Sequence, residues 1–228
     1  MTNERTGTPF PSLEFPTDIV LLAVLWRLRS KLSLRDVAEM VLERGLVVTH
    51  EAIRDGETRF APLIAEQLPT KRRGQAGRSC SVDETSLKVH GKWCYVYLAR
   101  DSDGNLLASR LSEKRNMEAA KQFFQQAVRV VGRVPDQVRT DGHTSYPRAI
   151  RETMSSNLQH RTNTDLTNRL EQDHRGSKPR SYPMHGLGSF EAAARFCSAC
   201  DELRNSFRSR SPLKACVSLL QHRQAFLQ

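Results

Sequence analysis

The chain has 228 residues, with 35 Lys and Arg against 25 Asp and Glu, a formal net charge of +10 and an isoelectric point near 9.8. A mean hydropathy of −0.54 with 26% charged residues reads as a soluble protein, and the apolar run at 19–26 is far short of the roughly 20 residues that span a bilayer. The excess of positive charge favours a polyanionic partner, of which nucleic acid is the usual one; no membrane and no small-molecule cofactor is expected. The apolar run follows Glu4, Glu14 and Asp18 with no basic lead, so it predicts a core helix and not a signal peptide. Five cysteines without framework spacing predict reduced thiols and a cytoplasmic setting. Cys197 and Cys200 form a lone C-x-x-C on an amphipathic pattern, which favours buried thiols over zinc.

In chain order, residues 1–16 read as a loose tail. A helix is expected from Thr17 to Arg29. Ser33 with Asp36 makes a capping box for a second helix, and Gly45 supplies its stop. Thr49 caps a third, with Ile53 and Phe60 facing inward. Three short helices with a tight turn at 43–46 suggest a helix-turn-helix domain over 17–68, the other reading being an ordinary three-helix bundle. In the first reading His50, Arg54 and Arg59 lie on the exposed face of the recognition helix. Gly56 falls on the face that should be apolar, which predicts a bend or a weakened domain, since an interior glycine costs about 1 kcal/mol against alanine.

Residues 69–79, with Lys71, Arg72 and Arg73 and no acid, read as a basic linker, either a solvated loop or a strap that tracks phosphates. Three antiparallel strands are then expected at 80–89, 92–100 and 106–111, joined by His90-Gly91 and by a turn at 101–105. A helix over 116–131, a strand at 137–140, a helix over 146–153, a strand at 158–160 and helices over 165–178 and 190–207 complete the pattern. Residues 208–228 form a basic tail. The fold class is α/β, a mixed sheet flanked by helices over 80–207 behind a small all-α domain.

Three carboxylates stand out in this order. Asp83 interrupts the first strand, Asp141 ends the fourth, and Glu171 sits on a later helix. A charge in a strand must be paired, bind metal or face a cleft. Three acids around one point repel unless a cation neutralises them, and Mg²⁺ or Mn²⁺ suits oxygen ligands best. Two such ions serve phosphodiester cleavage, so the pattern predicts a metal-dependent nuclease or nucleotidyltransferase.

The strand and helix order with Asp, Asp and Glu resembles the ribonuclease H-like domain of DDE transposases and retroviral integrases. Val82-Asp83-Glu84-Thr85, Gly91-Lys92-Trp93, Thr140-Asp141-Gly142-His143 and Glu171-Gln172-Asp173-His174-Arg175 are similar to the bacterial insertion-sequence transposases of family six, the cointegrate-forming group. That resemblance implies Asp83, Asp141 and Glu171 as catalytic metal ligands of a two-metal site. It implies DNA contacts by Lys178 and Arg175. His143 and His174 would act beside the ligands or on DNA, a plain structural role being the alternative. Glu84 and Asp173 would point elsewhere. The implied partners are double-stranded DNA (terminal inverted repeats and target) and at least one further copy of the chain, on the bacterial nucleoid. Members commonly carry Trp where Gly56 stands, and an Asn-Asn pair where this chain has Thr167-Asn168. These departures raise the alternative of a decayed copy that only binds DNA.

Overall fold

The computed structural model describes residues 17–30, 32–70, 78–154, 158–162 and 188–207. The tail at 1–16, the linker cations Lys71, Arg72 and Arg73, the segment bearing Glu171, His174, Arg175 and Lys178, and the tail at 208–228 lie outside them.

Three helices lead the chain: α1 (Thr17–Arg29), α2 (Leu34–Leu42) and α3 (His50–Thr70). The capping box forms as expected, with Ser33 accepting from the Asp36 backbone and Asp36 from the Ser33 backbone. Thr49 accepts from Ala52 N–H at 3.2 Å and starts α3. The connection from α2 to α3 is longer than the expected turn. Gly45, at φ +77, ends α2, and residues 46–49 then run without regular structure, anchored by the buried Val48. Ala23, Val37, Val41, Val48 and Ile53 make a small core among the three helices.

Gly56 corrects the sequence reading. Helix α3 runs unbroken from His50 to Thr70, and Gly56 is buried in it. A Cβ placed there would sit 2.3 Å from Val20 Cγ1 and 3.3 Å from Val24 Cγ2 on α1. The glycine leaves the room that the Val20 and Val24 side chains of α1 fill. Local sequence makes it look like a defect because the reason lies on another helix.

Beside this contact, Arg27 of α1 and Glu57 of α3 form a buried ion pair. Arg27 Nη1 also donates to the Leu32 carbonyl at 3.3 Å, and its guanidinium lies 5.7 Å from the Phe196 ring centre. Phe196 belongs to the last helix described, α6 (Phe190–Ser206). The helical segment therefore does not stand apart from the sheet. Val20, Val24, Leu28, Phe60 and Ala61 share one apolar cluster with α6 and with three strands.

Those strands are β1 (Ser79–Val89), β2 (Lys92–Asp101) and β3 (Leu106–Ser112), antiparallel in succession. His90 and Gly91 both have positive φ, the two-residue turn whose twist suits a hairpin. Helix α4 (Met117–Val131), capped by Asn116, then crosses to β4 (Gln137–Thr140), and α5 (Ser145–Thr153) leads to β5 (Gln159–Thr162). The sheet order is β3-β2-β1-β4-β5, with β4 parallel to β1 and β5 parallel to β4. Helices α4 and α5 cover one face through Phe123, Phe124, Tyr146 and Ile150, and α6 with α1 and α3 covers the other. This is the ribonuclease H-like arrangement that the resemblance implied.

Candidate active site

The pleat of β1 sends neighbouring side chains to opposite faces. Cys80 and Val82 join the α4/α5 cluster, so Glu84 faces that way as well. Asp83 pairs across to Leu98, which belongs to the cluster on the α6 face, so Asp83 faces α6. Strand β4 runs parallel to β1 with Ser81 against Arg139, an offset of 58 positions. The pairing stops there, and the same offset carried two positions further matches 83 to 141, with Asp141 just past the end of β4. The strand core ends there. Thr140 is fully buried, while Asp141 is exposed and Asp83 half-buried.

The turn that carries Asp141 is tightly built. Thr140 Oγ1 accepts from Gly142 N–H at 3.3 Å and is hydrogen-bonded to His160 Nε2 at 2.9 Å. Burial lowers the pKa of His160, which favours a neutral ring. Gly142 has φ +88, a conformation that other side chains rarely adopt. His143 N–H donates to Asp141 Oδ1 at 3.1 Å, its Nδ1 meets Ser145 Oγ at 2.8 Å, and its ring stands edge-on to Tyr146. His143 is thus a member of the turn itself, tied to the start of α5.

Glu84 does point away from Asp83, as expected, and it arrives somewhere the sequence did not suggest. Its side chain is 6% exposed and pairs with Arg115 Nε at 2.5 Å. The Tyr146 hydroxyl donates to Glu84 Oε2 at 3.5 Å. Burial pushes the Glu84 pKa up; Arg115 opposes this, and the charges of Asp141 and Asp83 add to it. Burial, then Glu84, Asp141 and Asp83, push the Tyr146 hydroxyl up as well. The charges of Asp141 and Asp83 therefore both reach Glu84 through the sheet. The signal that could have found this cluster is a second acid beside Asp83 in a strand whose other face is apolar.

Of the expected DNA-contacting residues, Arg54 and Arg59 are exposed on α3 and His50 half-buried at its start. His50 Nε2 lies 2.6 Å and Arg54 Nη1 3.9 Å from Glu51 Oε1. The described cysteines form no disulfide, and Cys80, Cys94 and Cys200 are buried. Burial pushes Cys80 up to about 12 and raises Cys197, with Asp201, Cys200 and Cys94 adding to the latter. Among the described residues no three His, Cys, Asp or Glu side chains are grouped to hold a metal ion. Asp83 and Asp141 supply hard oxygen donors of one sign, and the third expected acid, Glu171, lies outside the described residues. No helix among those residues is long and apolar enough to cross a membrane.

A mixed sheet of this order, with one carboxylate in its first strand and another at the end of its fourth, defines a DDE-type polynucleotidyl transferase. A family profile described as a DDE domain, of the IS240 kind of transposase, matches residues 77–210. The transposase of insertion sequence-like element IS431mec from Staphylococcus aureus is 33% identical over 171 residues, covering 73% of this chain and 75% of that one. The transposase of IS257 in transposon Tn4003, also from Staphylococcus aureus, matches to the same extent. Among solved structures, a simian T-cell lymphotropic virus intasome in complex with a PP2A regulatory subunit superposes with a TM-score of 0.44 at 14% identity, over 66% of this chain and 56% of that one. The HTLV-2 integrase catalytic core in complex with magnesium gives 0.38 at 15% identity, over 58% and 86%. The chain belongs to the DDE transposases of bacterial insertion sequences, in family six, and its function is DNA transposition.

Proposed function

We propose that this transposase binds the terminal inverted repeats of its element through residues 17–68, and cuts and joins DNA at Asp83, Asp141 and Glu171. The observation that supports the reading is the parallel pairing of β4 with β1 up to Ser81 and Arg139, two positions short of Asp83 and of Asp141. Two like charges so arranged favour a divalent cation, and the all-oxygen donor set suits Mg²⁺ or Mn²⁺. Bound there, as a two-ion site completed by Glu171, the metal would supply an activated oxygen nucleophile and neutralise charge on the phosphate. The chain's own part is positional. The Thr140–His160 bond and the positive-φ Gly142 fix the turn that presents Asp141, and the β1 pleat presents Asp83 beside it.

In this reading His50, Arg54 and Arg59 face the repeat from α3, and Lys71, Arg72 and Arg73 track phosphates between the two parts. Arg175 and Lys178 hold the DNA end. Two ends require at least two copies of the chain, and the protein acts on nucleoid DNA in the cytoplasm.

The test is incubation of purified protein with a labelled end-DNA duplex in Mg²⁺, with EDTA and Asp83→Asn controls. End-specific nicking or joining only in the unmutated, metal-supplied sample is expected. Equal cleavage by Asp83→Asn would remove that residue from the site. The alternative of a decayed DNA-binder rested on Gly56, and the close α1–α3 contact gives that glycine a packing reason.

A further inference from the structure

The hairpin that joins β1 to β2 carries residues that neither the core nor the carboxylate site uses. Strand β4 pairs with β1 only at residues 79–81, and β3 pairs with β2 only from Tyr95 onward. The pairs Leu87–Cys94, Lys88–Trp93 and Val89–Lys92 therefore form a two-stranded ribbon beyond both neighbours. One face of the ribbon is anchored, because Val89 and Cys94 are buried in the cluster shared with α6. The other face carries Trp93 at 60% exposure, with Lys88 Nζ 5.9 Å from its ring centre. Lys88, His90 and Lys92 are all exposed.

A single exposed apolar residue is ordinary. This one sits on a rigid ribbon among cations, in a stretch from 85 to 100 that has no Asp or Glu. Glu113, on the turn after β3, is close enough to Cys94 to raise its pKa and is followed directly by Lys114 and Arg115. A flat ring beside the Lys88 ammonium, with Lys92 exposed at the ribbon's tip on the face of Val89, complements a nucleic-acid surface, where phosphates take the lysines and sugar edges the ring. The ribbon also leaves from the right place. Strand β1 continues six residues past Asp83 to Val89, about 20 Å at the usual strand rise. At about 3.4 Å per step along a DNA strand this is roughly six base pairs.

We propose that the β1–β2 hairpin is a DNA grip, with Trp93 against the groove edge and Lys88 and Lys92 on phosphates of duplex flanking the bond to be cut. The proposal rests on the function proposed above and deepens it by assigning a second DNA contact on the sheet itself.

The chain has two tryptophans, so Trp26→Phe leaves Trp93 as the single reporter. End-DNA duplex added to the full-length Trp26→Phe protein should quench its emission. Lys88→Gln with Lys92→Gln should weaken binding and lower the slope of log affinity against log salt by about 1 per lysine. Trp93→Ala should weaken binding at every salt concentration without changing that slope, and Trp93→Phe should restore part of the loss. Melting temperatures of these surface variants should match the parent. An unquenched Trp93 together with parental affinity and salt slope in the lysine variant overturns the proposal. So does emission that shifts with protein concentration and ignores DNA, because a second copy then covers the hairpin. A parent protein that nicks end-DNA while the hairpin variants bind it normally overturns this inference alone. A parent that binds no duplex overturns both.

Discussion

The two faces of the sheet treat neighbouring carboxylates in opposite ways. On the α4/α5 face, Glu84 is enclosed by Arg115 and Tyr146, beside the aromatic run Tyr97, Phe123 and Phe124. On the α6 face, Asp83 is half-buried within β1, and Asp141 is exposed just past the end of β4. Glu84 holds a cation of the protein's own, Arg115, and in the function proposed above Asp83 faces the divalent metal. A buried charge is tolerated when it is paired, and a cluster of acids at a strand end is tolerated when something else neutralises it. Adjacent residues on one strand therefore face different parts of the molecule, Glu84 the α4/α5 layer and Asp83 the α6 side, where the function proposed above puts its chemistry.

Substitutions should separate the two. The largest effect expected is at the site itself. Asp83→Asn should reduce nicking to the level of the EDTA control and leave the urea midpoint nearly unchanged. A large fall in that midpoint would make Asp83 a structural residue and erase the contrast with Glu84.

Next in size is the α6 side, where α1 and α3 meet. Gly56→Trp should disrupt the packing of α1 on α3. Even a methyl group there meets Val20 at 2.3 Å, and valine has little rotamer freedom in a helix with which to yield. Overpacking costs about 1–3 kcal/mol in ordinary cases, and an indole in that space should exceed that. Thermal melting checks it, and a raised melting temperature would mean that the glycine is a defect after all. Glu57→Gln should cost about 3 kcal/mol, because it leaves Arg27 buried without its charge partner. Replacing both Arg27 and Glu57 by apolar residues should recover much of that loss.

This contrast also marks what could be read in the sequence. The order of strands and helices was legible because each boundary has a local cause: the Ser33 and Asp36 box, the His90-Gly91 turn, the Asn116 cap. Asp83 drew notice in the sequence because an acid in an apolar strand is conspicuous, and the structure does place it within β1. Gly56, Arg27 and Glu57 were not, since each takes its meaning from a helix some thirty positions away in sequence. Nor was the enclosure of Glu84. Alternation along β1 gives its direction, but only the packing of α4 and α5 brings Arg115 and Tyr146 to meet it. The length of the α2–α3 connection was misjudged because Gly45 stops one helix without starting the next.

On the α4/α5 face, Glu84→Gln should lower stability by about 1 kcal/mol, the usual net worth of one hydrogen bond, because the exposed Arg115 guanidinium regains water when its enclosed partner loses its charge. Denaturant titration should show a lower midpoint with an unchanged slope. The metal concentration needed for half-maximal nicking should stay at its parental value. A strong increase in that concentration would move Glu84 from the structural side of the comparison to the catalytic side.

The smallest effect belongs to Glu152, which bridges the same two helices at the surface, where Lys121 of α4 and Arg148 of α5 both engage its carboxylate. Hydrogen bonds from Lys121 and then Arg148 hold its pKa down at about 2, from an ordinary value of 4.5. A carboxylate lowered in the folded state stabilises above its unfolded pKa and loses that contribution as pH falls through the folded one. The stabilisation should therefore be complete above pH 5 and fade between about 4.5 and 2. Glu152→Gln should then cost its small, well-screened contribution at neutral pH and nothing below about pH 2, which flattens the acid side of the stability profile. An equal loss at pH 7 and pH 3 would show that Glu152 holds α4 to α5 by packing and not by charge. High salt should shrink the wild-type effect and leave the Glu84 effect nearly intact, because water and ions reach only the outer of these two carboxylates.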